Sequence, residues 1–242
     1  SLESNIESMG LDLPLIFESE KSMKDFSTIV NTKPKDSDFL IINEDNIQNA
    51  HKEIKNAGGV IIDLSSMPTM SPPSLDGLLV AIRAISTRLI PILLKDGLSR
   101  VNNLHTIGKN HPIQGVIVNL SDISGLHAAS CLPKIGRSII ETKIDSSTCP
   151  TFISVPWQVS SNDIIIARGC GAAGIISKEH QEMVKSSKDI HYELRGWLEE
   201  LGLDSIEKIE RKHLRANSHE IAALSGIRLT GYERALPMWF SQ

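Results

Sequence analysis

The chain has 242 residues, 40% of them hydrophobic and 22% charged, with a formal net charge of −4. That composition suits a globular protein with one large core, and the mild acidity without a Lys/Arg cluster argues against a nucleic-acid partner, which needs a basic face. Cys131, Cys149 and Cys170 are widely spaced and form no CxxC pair, which points to neither a disulfide framework nor a zinc site, and so to three buried apolar thiols.

Taken in order, residues 1–12 are polar and read as a lead-in helix or arm. The first strand candidate is 14–17, followed by a short helical candidate at 22–30. Strand candidates recur at 38–43, 60–64, 90–94, 115–120, 151–155 and 172–177 as short apolar runs bounded by Gly, Pro or polar residues. Between them fall helical patterns at 45–56, at 75–88 with Ser74 as cap, at 98–108 and across 126–145. The segment 151–177 is one complete βαβ unit: a strand, four cap-type residues (Ser160, Ser161, Asn162, Asp163), a helix stopped at Gly169 and Gly171, and a second strand. Beyond 178 the pattern becomes helical, with segments at 181–201, 205–215 and 218–224. The most apolar window, 77–94, carries Arg83 and Arg88, so no membrane span is expected. No basic-then-apolar leader opens the sequence, and the chain reads as cytoplasmic.

Seven strand candidates separated by helices, without a hairpin signal, imply parallel strands in a closed barrel or an open doubly wound sheet. Length favours a (β/α)8-type TIM barrel over 1–178, either incomplete with seven strands or completed by an eighth near the N-terminus or around 139–144. The α/β barrel would carry a helical extension, 179–242, packed on it.

Three stretches, in this order, carry a likeness: MSPPSLDGLLVAIRAISTRLIPILLKDG (70–97), GVIVNLSDISGLHAAS (115–130) and TFISVPWQVSSNDIIIARGCGAAGIIS (151–177). With the helical tail 193–232 they resemble the FMN-binding barrel of the glutamate synthase family. The resemblance implies an FMN-dependent oxidoreductase acting on amino/imino bonds, converting 2-oxoglutarate to glutamate, working with glutamate synthase-type partner subunits or as a homo-oligomer. It gives Lys95, at the end of a strand, the catalytic place beside the flavin ring, where a positive charge favours the reduced form; a rim lysine facing water is the plainer reading. Ser121, Ser124 and Gly125 follow a strand end and would donate to a phosphate, although Asp122 would repel one. Ser160, Ser161 and Asn162 aim helix N–H groups at the rim, which suits an anion or is simple capping, with Ser177 and Lys178 completing the site. Gln158, with Trp157, would meet the ring or plug an empty pocket. His127 would contact a ligand or be satisfied inside the fold.

Two departures set limits on this likeness. Where the family has a glycine-rich phosphate loop, this chain reads Pro156-Trp157-Gln158, and proline has no N–H to offer. The segment 178–201 contains no cysteine, so no iron–sulfur cluster is expected. The alternative function is therefore a degenerate, non-catalytic barrel subunit or scaffold that has lost the flavin. Binding of another phosphorylated metabolite at the same rim is the third reading.

Overall fold

The computed structural model describes residues 15–19, 28–67, 69–86, 88–121, 128–178 and 181–234. Eight parallel strands form a closed barrel in chain order: β1 (Leu15–Glu18), β2 (Thr28–Val30), β3 (Phe39–Ile42), β4 (Gly59–Asp63), β5 (Ile92–Gly97), β6 (Gly115–Asn119), β7 (Thr151–Val155) and β8 (Gly174–Lys178). Pairing of β8 with β1, from Leu15↔Ile175 to Glu18↔Lys178, closes the ring.

Both faces of this sheet are apolar, and that is why its strands read as continuous hydrophobic runs rather than alternating ones. One set, including Leu40, Ile42, Val60, Ile62, Ile92, Leu94, Val116, Val118, Ile153, Val155 and Ile175, packs outward in the main core under the helices. The alternate set, Ile29, Ile41, Ile61, Leu93, Ile117 and Ile176, fills the lumen with Phe39 and Phe152 against it. Room for those rings comes from glycine at neighbouring strand starts. A Cβ on Gly59 would lie 2.4 Å from Phe39 Cε1, and one on Gly115 would lie 2.5 Å from Leu93 Cδ2.

The eighth strand is β2, which overlaps the segment 22–30 expected to be helical; residues 22–27 lie outside the described residues. Three residues, Thr-Ile-Val, are too few to show any period, although all three are β-branched in the manner of strands. The other proposed location, around 139–144, falls in and just beyond a helix. The link from β2 to β3, residues 31–38, is made of bends and turns without a helix.

Outside the barrel lie α1 (Ala50–Glu53, continued by a 3-10 turn at Ile54–Asn56), α2 (Pro72–Ile85), α3 (Val101–Asn110), α4 (Ala128–Thr142) and α5 (Ser161–Gly169). Helix α2 starts earlier than expected: its cap is Ser71, whose hydroxyl accepts from Ser74 N–H, not Ser74 itself. Pro72 and Pro73 suit the first turn because the N–H groups they lack would have no partner there. After the barrel come α6 (Gln181–Leu201) and α7 (His219–Ser225, capped by Ser218). The helix expected over 205–215 is instead two 3-10 turns, Ile206–Lys208 and Arg211–His213. Its buried residues Ile206, Ile209 and Leu214 are spaced for either geometry.

A polar pin crosses the outer layer. His105 of α3 is fully buried and its ring nitrogens meet Ser138 Oγ of α4 at 2.7 Å and Thr151 Oγ1 of β7 at 3.1 Å. Burial lowers its pKa to about 4, so a neutral ring bridges the two hydroxyls. All three cysteines are buried and outside any disulfide, with Cys149 and Cys170 pushed up to about 11 by desolvation. Among the described residues no helix is long and apolar enough to cross a membrane, and no group of His, Cys, Asp and Glu is arranged to hold a metal ion.

Candidate functional site at the barrel mouth

The carboxyl ends of parallel strands open into one mouth, which is where this architecture collects its polar groups. Alternation fixes which residues face inward. Because Ile61, Leu93, Ile117 and Phe152 belong to the lumen, Asp63, Lys95, Asn119 and Ser154, two positions further on, also face it. Glu18 is paired with Lys178 at the same height on β1 and β8.

Lys95 is the centre of this set. Its Nζ lies 3.4 Å from Asp63 Oδ2 and 3.8 Å from Glu18 Oε2. Asp63 is its register partner on the adjacent strand, whereas Glu18 reaches it from β1. The Lys95 and Asp63 side chains are 10% and 11% exposed, Glu18 30%. The other oxygen of Asp63 is held by Ser65, through N–H at 3.1 Å and Oγ at 2.5 Å. Lys95 is therefore a fixed cation in a nearly dry cup, not a lysine facing water. Chemically it can anchor an anionic group or stabilise developing negative charge, but a ligand must compete with two carboxylates already in contact.

The next residue, Asp96, faces the opposite way. It is 1% exposed, accepts from Gly97 N–H at 2.7 Å and pairs with Arg100 at 2.8 Å. Burial raises its pKa above the ordinary carboxylate value, against the pull of the Gly97 N–H and Arg100. Arg100 also donates to the Leu64 carbonyl, tying the loop after β4 to the start of α3.

The rim between β7 and β8 is built differently. Trp157 is half-buried and turns away from the lumen, packing beside Leu120, Leu132, Ile153, Val155 and Ile175 with a cavity of only about 10 Å³ left among them. Its carbonyl accepts from the buried Ser177 hydroxyl at 3.4 Å. At the start of α5, Ser160 and Asp163 form a closed capping box: Ser160 Oγ accepts from Asp163 N–H, and the Asp163 carboxylate accepts from Ser160 N–H at 2.9 Å and from Ser160 Oγ at 2.8 Å. Ser161, 2% exposed, donates its hydroxyl to Glu193 of α6 at 2.6 Å. A phosphate brought to this helix end meets two carboxylates, no spare hydroxyl proton on either serine and no N–H on Pro156. These residues do not fit a flavin phosphate.

The remaining expected residues are scattered. Ser121 is exposed and its N–H donates to Asn119 Oδ1 at 3.1 Å. Gln158 and Asn162 are exposed on the surface. Lys178 is the last residue of β8, placed by its backbone beside Glu18. Ser124 and Gly125, with Asp122 and His127, lie outside the described residues. The barrel thus brings Lys95 together with Glu18 and Asp63, two acids the sequence reading did not single out. Asp63 was visible as the acid closing VIID, one strand before ILLK and at the same height. Glu18 had no comparable signal, because its contact crosses from β1 to β5. No protein-family model matches the chain, and no curated protein matches it either.

Proposed function

We propose that the chain is a glutamate synthase-like (β/α)8 TIM barrel that has lost the grip on flavin phosphate and serves as a non-catalytic barrel subunit or scaffold. The observation that carries this reading is the acid-filled start of α5, where Asp163 and Glu193 take the protons of Ser160 and Ser161. A dianion there would be repelled by charges of its own sign and would find no hydroxyl proton left free on those serines. Trp157, packed into the barrel wall, supports the same reading, since it stands where a phosphate loop needs small residues and close backbone approach.

The test is a titration of the purified protein with FMN, read by quenching of flavin fluorescence, alongside its visible spectrum. This reading expects a colourless protein and no saturable quenching. A yellow protein, or tight binding of added FMN, refutes it.

One observation favours a second reading. Lys95 sits at the mouth beside Asp63, at the strand end that the resemblance assigns to the residue beside the flavin ring. Under that reading the protein is an FMN-dependent oxidoreductase acting on amino/imino bonds, assembled with glutamate synthase-type partners. Flavin uptake abolished in Lys95→Met but not in Ser121→Ala would support it.

A further inference from the structure

Helix α2 has an apolar side turned to solvent as well as one turned to the core. Leu75, Leu79 and Ile82 are buried, while Pro73, Gly77, Val80, Ala81 and Ala84 are exposed, Val80 by 70%. At 3.6 residues per turn these five exposed residues fall within about 100° of arc and along about 16 Å of helix, a continuous strip without a charge where a surface helix ordinarily carries its charged residues. Four residues past the helix end, Leu89 is 89% exposed.

The two charges of α2 do not cover this strip. Asp76 and Arg83 both lie on the edge that faces the end of α3: Asp76 Oδ1 meets His111 Nε2 at 3.1 Å, and Arg83 donates to the Ile90 carbonyl and to Gln114 Oε1, the latter at 2.9 Å. Gly77, inside the strip, has no role within one copy of the chain. It sits in the helix, and a Cβ there would meet nothing within 4 Å among the described residues, so neither a turn nor a close neighbour calls for glycine. Glycine in a helix interior costs about 1 kcal/mol relative to alanine. A surface that approaches the helix backbone from outside would account for it.

We propose that the strip is the contact surface for a second copy of the chain, the two α2 helices packing antiparallel about a two-fold axis that passes between Val80 and Ala81. The placement of the charges selects this partner and this direction. A two-fold axis that makes the helices antiparallel keeps their charged edges on the same side of the contact and runs one edge in reverse against the other. Asp76 of each copy then comes level with Arg83 of the other, within about 3 Å along the helix axis, so unlike charges face each other twice. Gly77 of each copy comes opposite Ala84 of the other, and the missing side chain falls where the two backbones approach most closely. Antiparallel packing also sets the partly positive N-terminus of each helix beside the partly negative C-terminus of the other. A parallel pair would put the charged edges on opposite sides and give up both gains. The strip lies on the outside of the barrel and does not depend on what the mouth holds.

A single helix pair covers less than the roughly 800 Å² per partner of a standard interface, so the dimer should dissociate at about 10–100 µM. The experiment is sedimentation velocity of the full chain from about 1 to 500 µM, joined to cysteine cross-linking with copper phenanthroline. The expected result is a monomer–dimer shift across that range. Val80→Lys, which sets two like charges beside the axis on a side chain already 70% exposed, should keep the circular dichroism spectrum and weaken the dimer by about tenfold or more. Val80→Cys should form an intermolecular disulfide, whereas Ser74→Cys, about 20 Å from its counterpart in the antiparallel pair, should not. Ile140→Cys, 76% exposed on α4, gives the rate of random collision, and the three native cysteines are buried. A chain that stays monomeric throughout, a dimer that Val80→Lys leaves intact, or Val80→Cys linking no faster than Ile140→Cys overturns the proposal. Ser74→Cys linking as fast as Val80→Cys overturns the antiparallel arrangement.

Discussion

Replacing Lys95 by methionine keeps most of the length of the side chain and removes the charge that separates Asp63 from Glu18. At 3.4 and 3.8 Å, each contact is worth about 4–5 kcal/mol of Coulomb attraction at an effective dielectric of 20. Desolvation offsets much of this, and the 30% exposure of Glu18 screens its share further. The decisive quantity is the charge left behind. Asp63 is nearly buried, and stranding a buried carboxylate without its partner costs about 3–5 kcal/mol, so Lys95→Met should lose about 3 kcal/mol. Urea unfolding followed by circular dichroism measures the loss. The companion Asp63→Asn/Lys95→Met variant should recover part of it, since the stranded charge has gone with its partner. A Lys95→Met loss under about 0.5 kcal/mol, or a double variant no better than the single one, refutes the account of Lys95 as a fixed cation in a dry cup.

Four further outcomes follow from the fold. His105 has a folded pKa near 4 against 6.5 unfolded, so its contribution is complete above pH 6.5 and is lost as pH falls toward 4, by about 3 kcal/mol; the urea midpoint should fall across that window, and less steeply in His105→Gln. Gly58→Ala puts a Cβ 2.3 Å from the Asp36 carbonyl oxygen, a backbone atom that cannot swing aside, and should destabilise by about 2 kcal/mol or more. Gly77→Ala, in the middle of α2 with open space around it, should instead raise the melting temperature, through a gain of about 0.5–1 kcal/mol in thermal unfolding. Ser160→Ala removes one half of the capping box on α5 and should cost about 1 kcal/mol by the same denaturation assay.

What the sequence disclosed and what it hid divide along physical lines. The runs VIID and ILLK announce buried parallel strands, and because they are adjacent in the ring their terminal Asp63 and Lys95 fall side by side. Thr28–Val30 could not be recognised alike, since a strand of three residues contains no complete pattern. The closed capping box at Ser160 and Asp163 was legible as spacing, but the second acid, Glu193, comes from a helix thirty-two positions after its partner Ser161. Only packing of α6 on α5 shows that the serines are already committed. Trp157 illustrates the same limit: the residue after a strand is equally free to enter the cup or turn to the wall, and the apolar surface of Ile153, Val155 and Ile175 drew it to the wall.

The lumen that carries Lys95 is stoppered beneath by the aliphatic layer and by Phe39 and Phe152, whose rings occupy the space that Gly59 and Gly115 vacate. The mouth is therefore a blind well and not a tunnel. Whatever enters must leave by the same door, so a second reactant cannot be fed from below while a product is still seated above. Any traffic between the two ends of the protein has to pass around the outside of the barrel or be carried through its framework.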